Sequence, residues 1–279
     1  MTIGNGLPER LPAILAEAFG AQLAEIDVSE ASELEDRNWD ATLTCEYEHL
    51  TGDLNWSLSV YAGDEVTHQP SDEQLALHFA RCLSAPVFFE WDGALPWIRK
   101  VALPSGTTTL ARVLQSDCSG SDASVESAEA PIAAFPHLSV QRFPEVVRAF
   151  NIQTPLTDSA RLTEPDEKPV SIRALLGNWE RLCVRLRSGW PPDGWYSADL
   201  YQEDLEFRDQ LDSAVSELSE TERKAAEAAV RELDAVYRDL TVDDQGLALT
   251  TAVKHEVGDL NGRAWYWHRR PTELPWARV

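Results

Sequence analysis

The sequence predicts an α+β protein in two parts. Two helices would pack on an antiparallel sheet in the order αββαβββ, followed by a mainly helical domain with a long helical hairpin. Three patterns support this: alternating apolar residues between 41 and 114, uninterrupted helical runs over 197–240, and a small, acidic stretch at 116–135. We therefore predict an acidic α+β domain at 1–115, a flexible acidic linker at 116–135 and a helical domain at 136–279.

The first elements of the N-terminal domain alternate between helical and strand patterns. Residues 7–19 place apolar side chains at three- and four-residue steps, which predicts a helix. Residues 25–36 contain six Asp and Glu in twelve positions, and we interpret them as an acidic loop or a short strand. Residues 41–50 and 54–61 then alternate around the turn at 51–53, as is typical of a β-hairpin.

A second helix and three further strands complete the N-terminal domain. Ser71 is a suitable N-cap for a helix over 71–84, because its hydroxyl can accept a bond from a free backbone amide. Residues 87–91, 97–103 and 107–114 have the composition of strands and are separated by turn residues.

The C-terminal domain is predicted from amphipathic patterns. Residues 171–187 place apolar residues on one helical face. Residues 197–218 and 219–240 repeat that pattern without an internal Gly or Pro, and predict the helical hairpin. Ser219 and Glu222 have the spacing of a capping box at the start of the second hairpin helix.

Charge is the strongest compositional signal. The chain has 47 Asp and Glu against 24 Lys and Arg, a formal net charge of −23. Residues 1–135 hold 22 acidic and 6 basic residues, a net of −16. Binding nucleic acid through its phosphates requires a basic surface, so no direct contact with nucleic acid is predicted. Solubility, repulsion from anionic surfaces and a face for a basic partner are the explanations left open.

Other classes of protein lack support in the sequence. Apolar runs stay below the roughly 20 residues that span a bilayer, and the N-terminus lacks the pattern of a signal peptide. The four cysteines are widely spaced, which fits reduced thiols in a cytoplasm. None of the six histidines pairs with another at metal-ligand spacing. We therefore predict no membrane contact, no catalytic residue, no cofactor and no metal.

One spacing matches a motif of metal-dependent nucleases. Pro192-Asp193 is followed by Glu222-Arg223-Lys224, and such enzymes use two carboxylates and a lysine around Mg²⁺. That site normally places Glu and Lys on a strand, where alternate side chains share a face. Here both residues fall at a predicted helix start and point in different directions, so we do not predict a nuclease.

Short motifs in both halves resemble an uncharacterised family of two-part acidic bacterial proteins. They are Trp39-Asp40-Ala41, Gly52-Asp53, Pro86-Val87-Phe88-Phe89, Gly194-Trp195-Tyr196, Tyr201 with Asp204-Leu205 and Arg208-Asp209, and the tail Arg269-Arg270-Pro271. Proteins of that kind are compared with immunity proteins of polymorphic toxin systems. The resemblance implies a protein-binding role and supplies no catalytic residues.

These observations predict a non-enzymatic, cytoplasmic protein-binding module of the immunity or antitoxin type. Its acidic face would cover a basic site on a partner such as a toxin domain. The candidate contact residues are Glu25, Asp27, Glu30, Glu33, Glu35, Asp36, Asp40, Glu46 and Glu48. Two alternatives remain: an assembly subunit that binds through a tryptophan-rich helical domain, and an enzyme without a recognisable motif.

Overall fold

The computed structural model describes residues 1–33, 37–115, 122–160, 162, 171–253 and 260–277. The chain divides into two units, Met1–Phe143 and Pro144–Val279. The first unit combines strands with helices and the second is mainly helical, so the predicted α+β class is confirmed. Within the described ranges, no helix has the length and apolar character needed to cross a membrane.

The first unit contains two α-helices and a series of short strands. In chain order they are α1 (Leu11–Phe19), β1 (Ile26–Glu30), β2 (Leu43–His49), β3 (Thr51–Gly52), β4 (Trp56–Ala62), α2 (Asp72–Leu83), β5 (Val87–Glu90), β6 (Ile98–Ala102), β7 (Thr108–Gln115), β8 (Asp122–Ala128) and β9 (Ser139–Val140). Ser71 caps α2 as predicted, since its hydroxyl accepts a bond from the Gln74 amide.

The strands of this unit pair in a mixed sheet. β1 pairs in parallel with β2, and β2 pairs antiparallel with β4. A second path runs β3-β8-β7-β6-β5, and its β3–β8 pairing is parallel. Thr2 bridges Trp56 of β4 and Val87 of β5, and so links the two paths. This corrects the predicted antiparallel sheet, because β1 and β8 find partners that no local turn pattern reveals.

Strand β8 lies inside the segment predicted to be a flexible linker. Its residues Ala123, Val125 and Ala128 are buried, and it pairs antiparallel with β7. The backbone of β8 also lies close to Gly52, since a Cβ at that position would be 2.7 Å from the Ala123 carbonyl oxygen. Residues 116–121 of the predicted linker lie outside the described residues. The unit boundary follows Phe143 rather than falling within 116–135.

Two apolar clusters stabilise the first unit. One packs α1 and α2 against the sheet, with Leu11, Leu15 and Phe79 among its buried members. The other lies among residues of β5 to β8 and includes Phe88 and Phe135, whose ring centroids are 6.1 Å apart. The sheet therefore has core packing on more than one side, and only part of it is free for other contacts.

The second unit is built mainly from helices. Its elements are α3 (Pro144–Ala149), α4 (Pro155–Ser159), α5 (Ile172–Ser188), α6 (Ala198–Ser216), α7 (Glu220–Leu240), β10 (Thr241–Asp243), α8 (Leu247–Ala252) and β11 (Arg269–Pro271). Helices α6 and α7 are the predicted hairpin, and both pack on α5. Ser219 is the N-cap residue of α7, but its hydroxyl donates to the Glu222 carboxylate over 2.5 Å instead of accepting from a backbone amide.

Tryptophans fill the core of the second unit. Trp179, Trp190 and Trp267 are buried, while Trp195 and Trp265 are partly buried and pack against the same cluster. Burying large aromatic side chains contributes strongly to folding free energy, so core packing accounts for the richness of this region in tryptophan.

Candidate functional site

One face of the β1-β2-β4 sheet is polar and partly exposed. The alternation of the three strands turns Leu43 and Cys45 inward and sends the intervening residues to the opposite side. We call this opposite side the outer face. Its residues are Asp27, Ser29, Thr44, Glu46, Glu48, Ser57, Ser59 and Tyr61.

Carboxylates on the outer face are held by the segment that joins β1 to β2. Arg37 Nη1 lies 2.5 Å from Glu46 Oε1, and the backbone amide of Asn38 donates to Asp27 Oδ1 over 2.9 Å. Ser29 Oγ donates to Asp27 Oδ2 over 3.0 Å. These bonds fix Asp27 and Glu46 in position, so part of this acidic surface is pre-organised rather than a set of free side chains.

Two large aromatic side chains are exposed on or beside the outer face. Trp39 is 72% exposed, and the Arg37 guanidinium lies 5.6 Å from the centroid of its ring. Tyr61 is 70% exposed and lies opposite Thr44 in the sheet. Exposed Trp and Tyr beside charged groups are typical of protein-binding surfaces, because such residues often supply most of the binding energy.

The predicted contact residues do not all share this face. Asp27, Glu46 and Glu48 lie on it. Glu25 instead accepts a bond from the Gln22 amide over 2.7 Å in the turn before β1. Asp40 is exposed in the turn before β2.

Glu30 lies on the other side of the sheet, because it pairs opposite Tyr47 of β2. Burial raises the pKa of Tyr47, and the negative charges of Glu30, Glu33 and Glu9 raise it further. Since Tyr47 packs on the core side against Trp56, at 5.8 Å between ring centroids, Glu30 does not join the outer face. Glu33 follows β1 and lies outside the sheet. Glu35 and Asp36 lie outside the described residues.

A groove of about 510 Å³ adjoins the outer face along β4. Ser57 and Ser59 line one wall, and Glu90 of β5 lies on another. The groove is also lined by Leu75 and Phe79 of α2. Beyond the bridge that Thr2 makes to β4 and β5, no strand among the described residues fills the space between these two edges. The outer face thus continues into a concave, partly polar site.

The second unit contains a carboxylate with a raised pKa. Asp204 is buried on α6 and accepts bonds from Tyr196 Oη over 2.5 Å and from Arg148 Nη1 over 3.1 Å. Burial raises the pKa of Asp204 to about 6, although the positive charge of Arg148 and the bond from Tyr196 act in the opposite direction. These partners belong to the core of the unit, so the raised pKa is explained by structural burial.

The Glu and Lys of the nuclease-like spacing lie at the start of a helix, as the sequence predicted. Glu222 and Lys224 lie in the first turns of α7. Lys224 Nζ pairs with Glu220 Oε1 over 3.1 Å, and Glu222 accepts the bond from Ser219. Both interactions are those of a helix N-terminus, so they give no support to a metal-dependent nuclease.

Three potential metal ligands that the sequence did not connect lie together in the first unit. Glu17 of α1 and His78 and Cys82 of α2 place their ligand atoms within 4.8 Å of one another. His78 and Cys82 are four residues apart on a predicted helix, and that spacing was a usable signal. The sequence prediction considered only pairs of histidines, and it therefore did not identify this His–Cys pair.

No protein-family model, curated protein or solved structure matches this chain. The class of protein is therefore defined by the fold and the site alone. It is a two-unit α+β protein that presents an acidic, aromatic-bearing sheet face beside a groove.

Proposed function

We propose that this protein is a non-enzymatic, cytoplasmic protein-binding module of the immunity or antitoxin type. Its outer face would cover a basic site on a toxin partner. The observation that carries the proposal is the combination of Asp27, Glu46, Glu48 and the exposed ring of Tyr61 on the outer face with the exposed ring of Trp39 beside it. The outer face would thus replace the acidic stretch from Glu25 to Glu48 as the surface that contacts the partner.

Each component of the face suits a basic partner. The carboxylates would attract cationic side chains during approach, an effect that mainly raises the association rate. Arg37 holds Glu46 in place, which lowers the entropy lost on binding. Trp39 and Tyr61 would then bury apolar surface and slow dissociation.

The groove beside β4 would receive a protruding segment of the same partner. Its Glu90 and Asp72 carboxylates extend the acidic character away from the sheet, while Leu75 and Phe79 offer apolar contact. The uncovered edge of β4 carries backbone groups suited to an added strand. A partner loop with alternating basic and apolar residues fits this combination.

The two alternative functions have weaker support. The tryptophans that suggested an assembly subunit are buried or packed in the core of the second unit. The carboxylate with the raised pKa, Asp204, is buried against Tyr196 and paired with the partly exposed Arg148, and its burial explains the pKa. A protein-binding inhibitor therefore agrees best with the exposed features.

The test compares two charge-matched variants of the full chain. Glu46→Gln with Glu48→Gln removes two charges from the outer face. Glu232→Gln with Asp239→Asn removes two from exposed positions of α7. Each tagged protein captures partners from source-cell lysate, and the captured protein is then purified for association kinetics and an activity assay. We expect a basic toxin-like protein, inhibited stoichiometrically, whose association with the outer-face variant is roughly three- to tenfold slower at low salt.

The α7 variant is expected to associate at the rate of the unaltered protein. Equal rates for all three proteins would show that the outer face does not guide the encounter. A captured protein whose activity is unchanged in the complex would contradict the inhibitor function while leaving protein binding intact.

A further inference from the structure

Helices α1 and α2 bring an imidazole, a thiol and a carboxylate to one point in the first unit. His78 Nε2 lies 3.6 Å from Cys82 Sγ, one helical turn away on α2. Glu17 reaches the pair from α1, and the ligand atoms of all three residues lie within 4.8 Å of one another. Glu17 is exposed, whereas His78 and Cys82 are half-buried.

The separation of His78 and Cys82 is compatible with the ligand shell of a tetrahedral metal ion. Zn²⁺ binds imidazole nitrogen at roughly 2.0–2.1 Å and thiolate sulfur at about 2.3 Å. At a tetrahedral angle, those two bond lengths place the nitrogen about 3.5–3.6 Å from the sulfur. The observed distance of 3.6 Å is that of a His–Cys hydrogen bond, and it is also compatible with both atoms binding one zinc ion.

The surroundings leave room for a fourth ligand. A cavity of about 320 Å³ is lined by Glu17 and His78 and also by His68 and Gln74. A water molecule in this cavity would complete a site with three protein ligands. Such open sites differ from structural zinc sites, in which four protein ligands close the coordination shell.

The chemistry of the donors favours a metal over a reactive cysteine. Cys82 lies in the last turn of α2, where the negative end of the helix dipole disfavours a thiolate. A bound cation would offset the negative charges of the thiolate and Glu17 together.

We propose that Glu17, His78 and Cys82 bind a single Zn²⁺ ion between α1 and α2. The mixture of nitrogen, sulfur and oxygen donors suits a borderline-soft ion such as zinc rather than Mg²⁺ or Ca²⁺, which prefer oxygen ligands. This site is separate from the outer face, and it does not depend on the proposed inhibitor function.

Cobalt provides a direct probe, because Co²⁺ replaces zinc and reports its ligands by absorption. The full chain is reduced, freed of metal with a chelator and titrated with Co²⁺. We expect saturation at one equivalent, with a thiolate-to-cobalt charge-transfer band and the visible bands of a tetrahedral ion. Added Zn²⁺ should remove both signals.

Variants then assign the ligands. Cys82→Ser should abolish the charge-transfer band, and His78→Ala should weaken binding by more than the roughly 10–100-fold typical of losing a residue that only orients a ligand. Glu17→Gln alters an exposed side chain and should keep the band while weakening binding roughly tenfold. His49→Ala and His137→Ala, at exposed positions outside the site, are the controls and should bind like the unaltered protein.

Circular dichroism confirms that each variant is folded, so a lost signal can be assigned to the site. The proposal fails if the unaltered protein shows no charge-transfer band with Co²⁺. It also fails if the band persists in Cys82→Ser, or if Glu17→Gln binds Co²⁺ as tightly as the controls.

Discussion

The Asp53 carboxylate accepts a hydrogen bond over 2.8 Å from the backbone amide of Val125, a residue of the buried strand β8. The backbone amide of Asp53 also donates to the Ala123 carbonyl over 2.9 Å. A turn residue of the hairpin region therefore holds a strand that follows it by 72 positions. This relationship explains how β8 is fixed in the sheet although its side chains are small.

Replacing Asp53 with Ala should loosen β8. The Val125 amide would lose its partner, and an unsatisfied group of this kind typically costs about 1–3 kcal/mol. Hydrogen exchange of peptides that cover 122–128 is the measurement, and we expect faster exchange in the variant. Asp64→Ala, at an exposed turn position, is the control and should exchange like the unaltered protein. Unchanged protection at Val125 would show that the carboxylate does not hold the strand.

The raised pKa of Asp204 predicts how stability depends on pH. Its pKa is about 6 in the folded protein against an ordinary aspartate value of 3.8, so the folded state binds this proton more tightly. The resulting stabilisation is fully present below pH ~4 and is lost as the pH rises through about 6. Relative to Asp204→Asn, the free energy of unfolding should fall by about 2 kcal/mol between pH 4 and pH 7.

Urea denaturation of both proteins at a series of pH values measures this difference. Other carboxylates titrate equally in the two proteins, so the difference isolates Asp204. A difference that stays constant between pH 4 and pH 7 would mean that the Asp204 pKa is not raised by folding.

The buried ion pair between Arg208 of α6 and Asp234 of α7 should contribute a large coupling energy to folding stability. Asp234 accepts bonds from Trp179 Nε1 over 3.0 Å and from Arg208 Nη2 over 3.2 Å. Arg208→Leu leaves the Asp234 charge buried without its cation, which typically costs about 3–5 kcal/mol. Adding Asp234→Asn should recover part of that loss, because the amide can still accept from Trp179.

Chemical denaturation of the two single variants and the double variant gives the coupling energy. Arg231→Ala is the control on α7, since its side chain is exposed and should change stability by less than about 0.5 kcal/mol. Additive effects of the Arg208 and Asp234 substitutions would contradict the predicted coupling.

The exposed rings of Trp39 and Tyr61 should matter for binding more than for folding. Each alanine variant is expected to change the free energy of unfolding by less than about 0.5 kcal/mol. Binding to the partner should weaken by about 2 kcal/mol, or roughly 30-fold in Kd, for at least Trp39→Ala. Leu23→Ala provides a comparison, because this apolar residue is 62% exposed in the same unit. A partner that binds Trp39→Ala and Leu23→Ala equally well would place the interface elsewhere.

The cysteines should differ in their reactivity. Cys45 and Cys183 are buried, and burial raises the pKa of Cys45 to about 12 and that of Cys183 as well. Neither thiol should react with iodoacetamide at pH 8 until the protein is unfolded. Mass spectrometry of alkylated peptides with and without urea checks this expectation. Rapid alkylation of Cys45 in the native protein would show that the first unit opens locally.

Much of the local structure follows from the sequence because its causes are local. Apolar spacing and a serine cap predict α2, and uninterrupted helical patterns predict α6 and α7, in agreement with the structure. The alternation of β2 and β4 likewise indicates a hairpin whose inward residues include Leu43 and Cys45. In each case, the spacing of apolar residues within one short segment is enough to indicate the helix or strand.

The tertiary structure alone decided which distant segments pair and which side chains converge. β8 is composed like a linker, and its pairing with β7 together with the approach of Gly52 and Asp53 makes it a buried strand. The acidic residues near β1 were visible as a group, but alternation along β1 sends Asp27 and Glu30 to opposite sides, and the packing of the sheet decides which side faces the core. Glu17 joins His78 and Cys82 because α1 packs beside α2. Composition and periodicity are properties of one segment, whereas these sites depend on contacts between segments far apart in the chain.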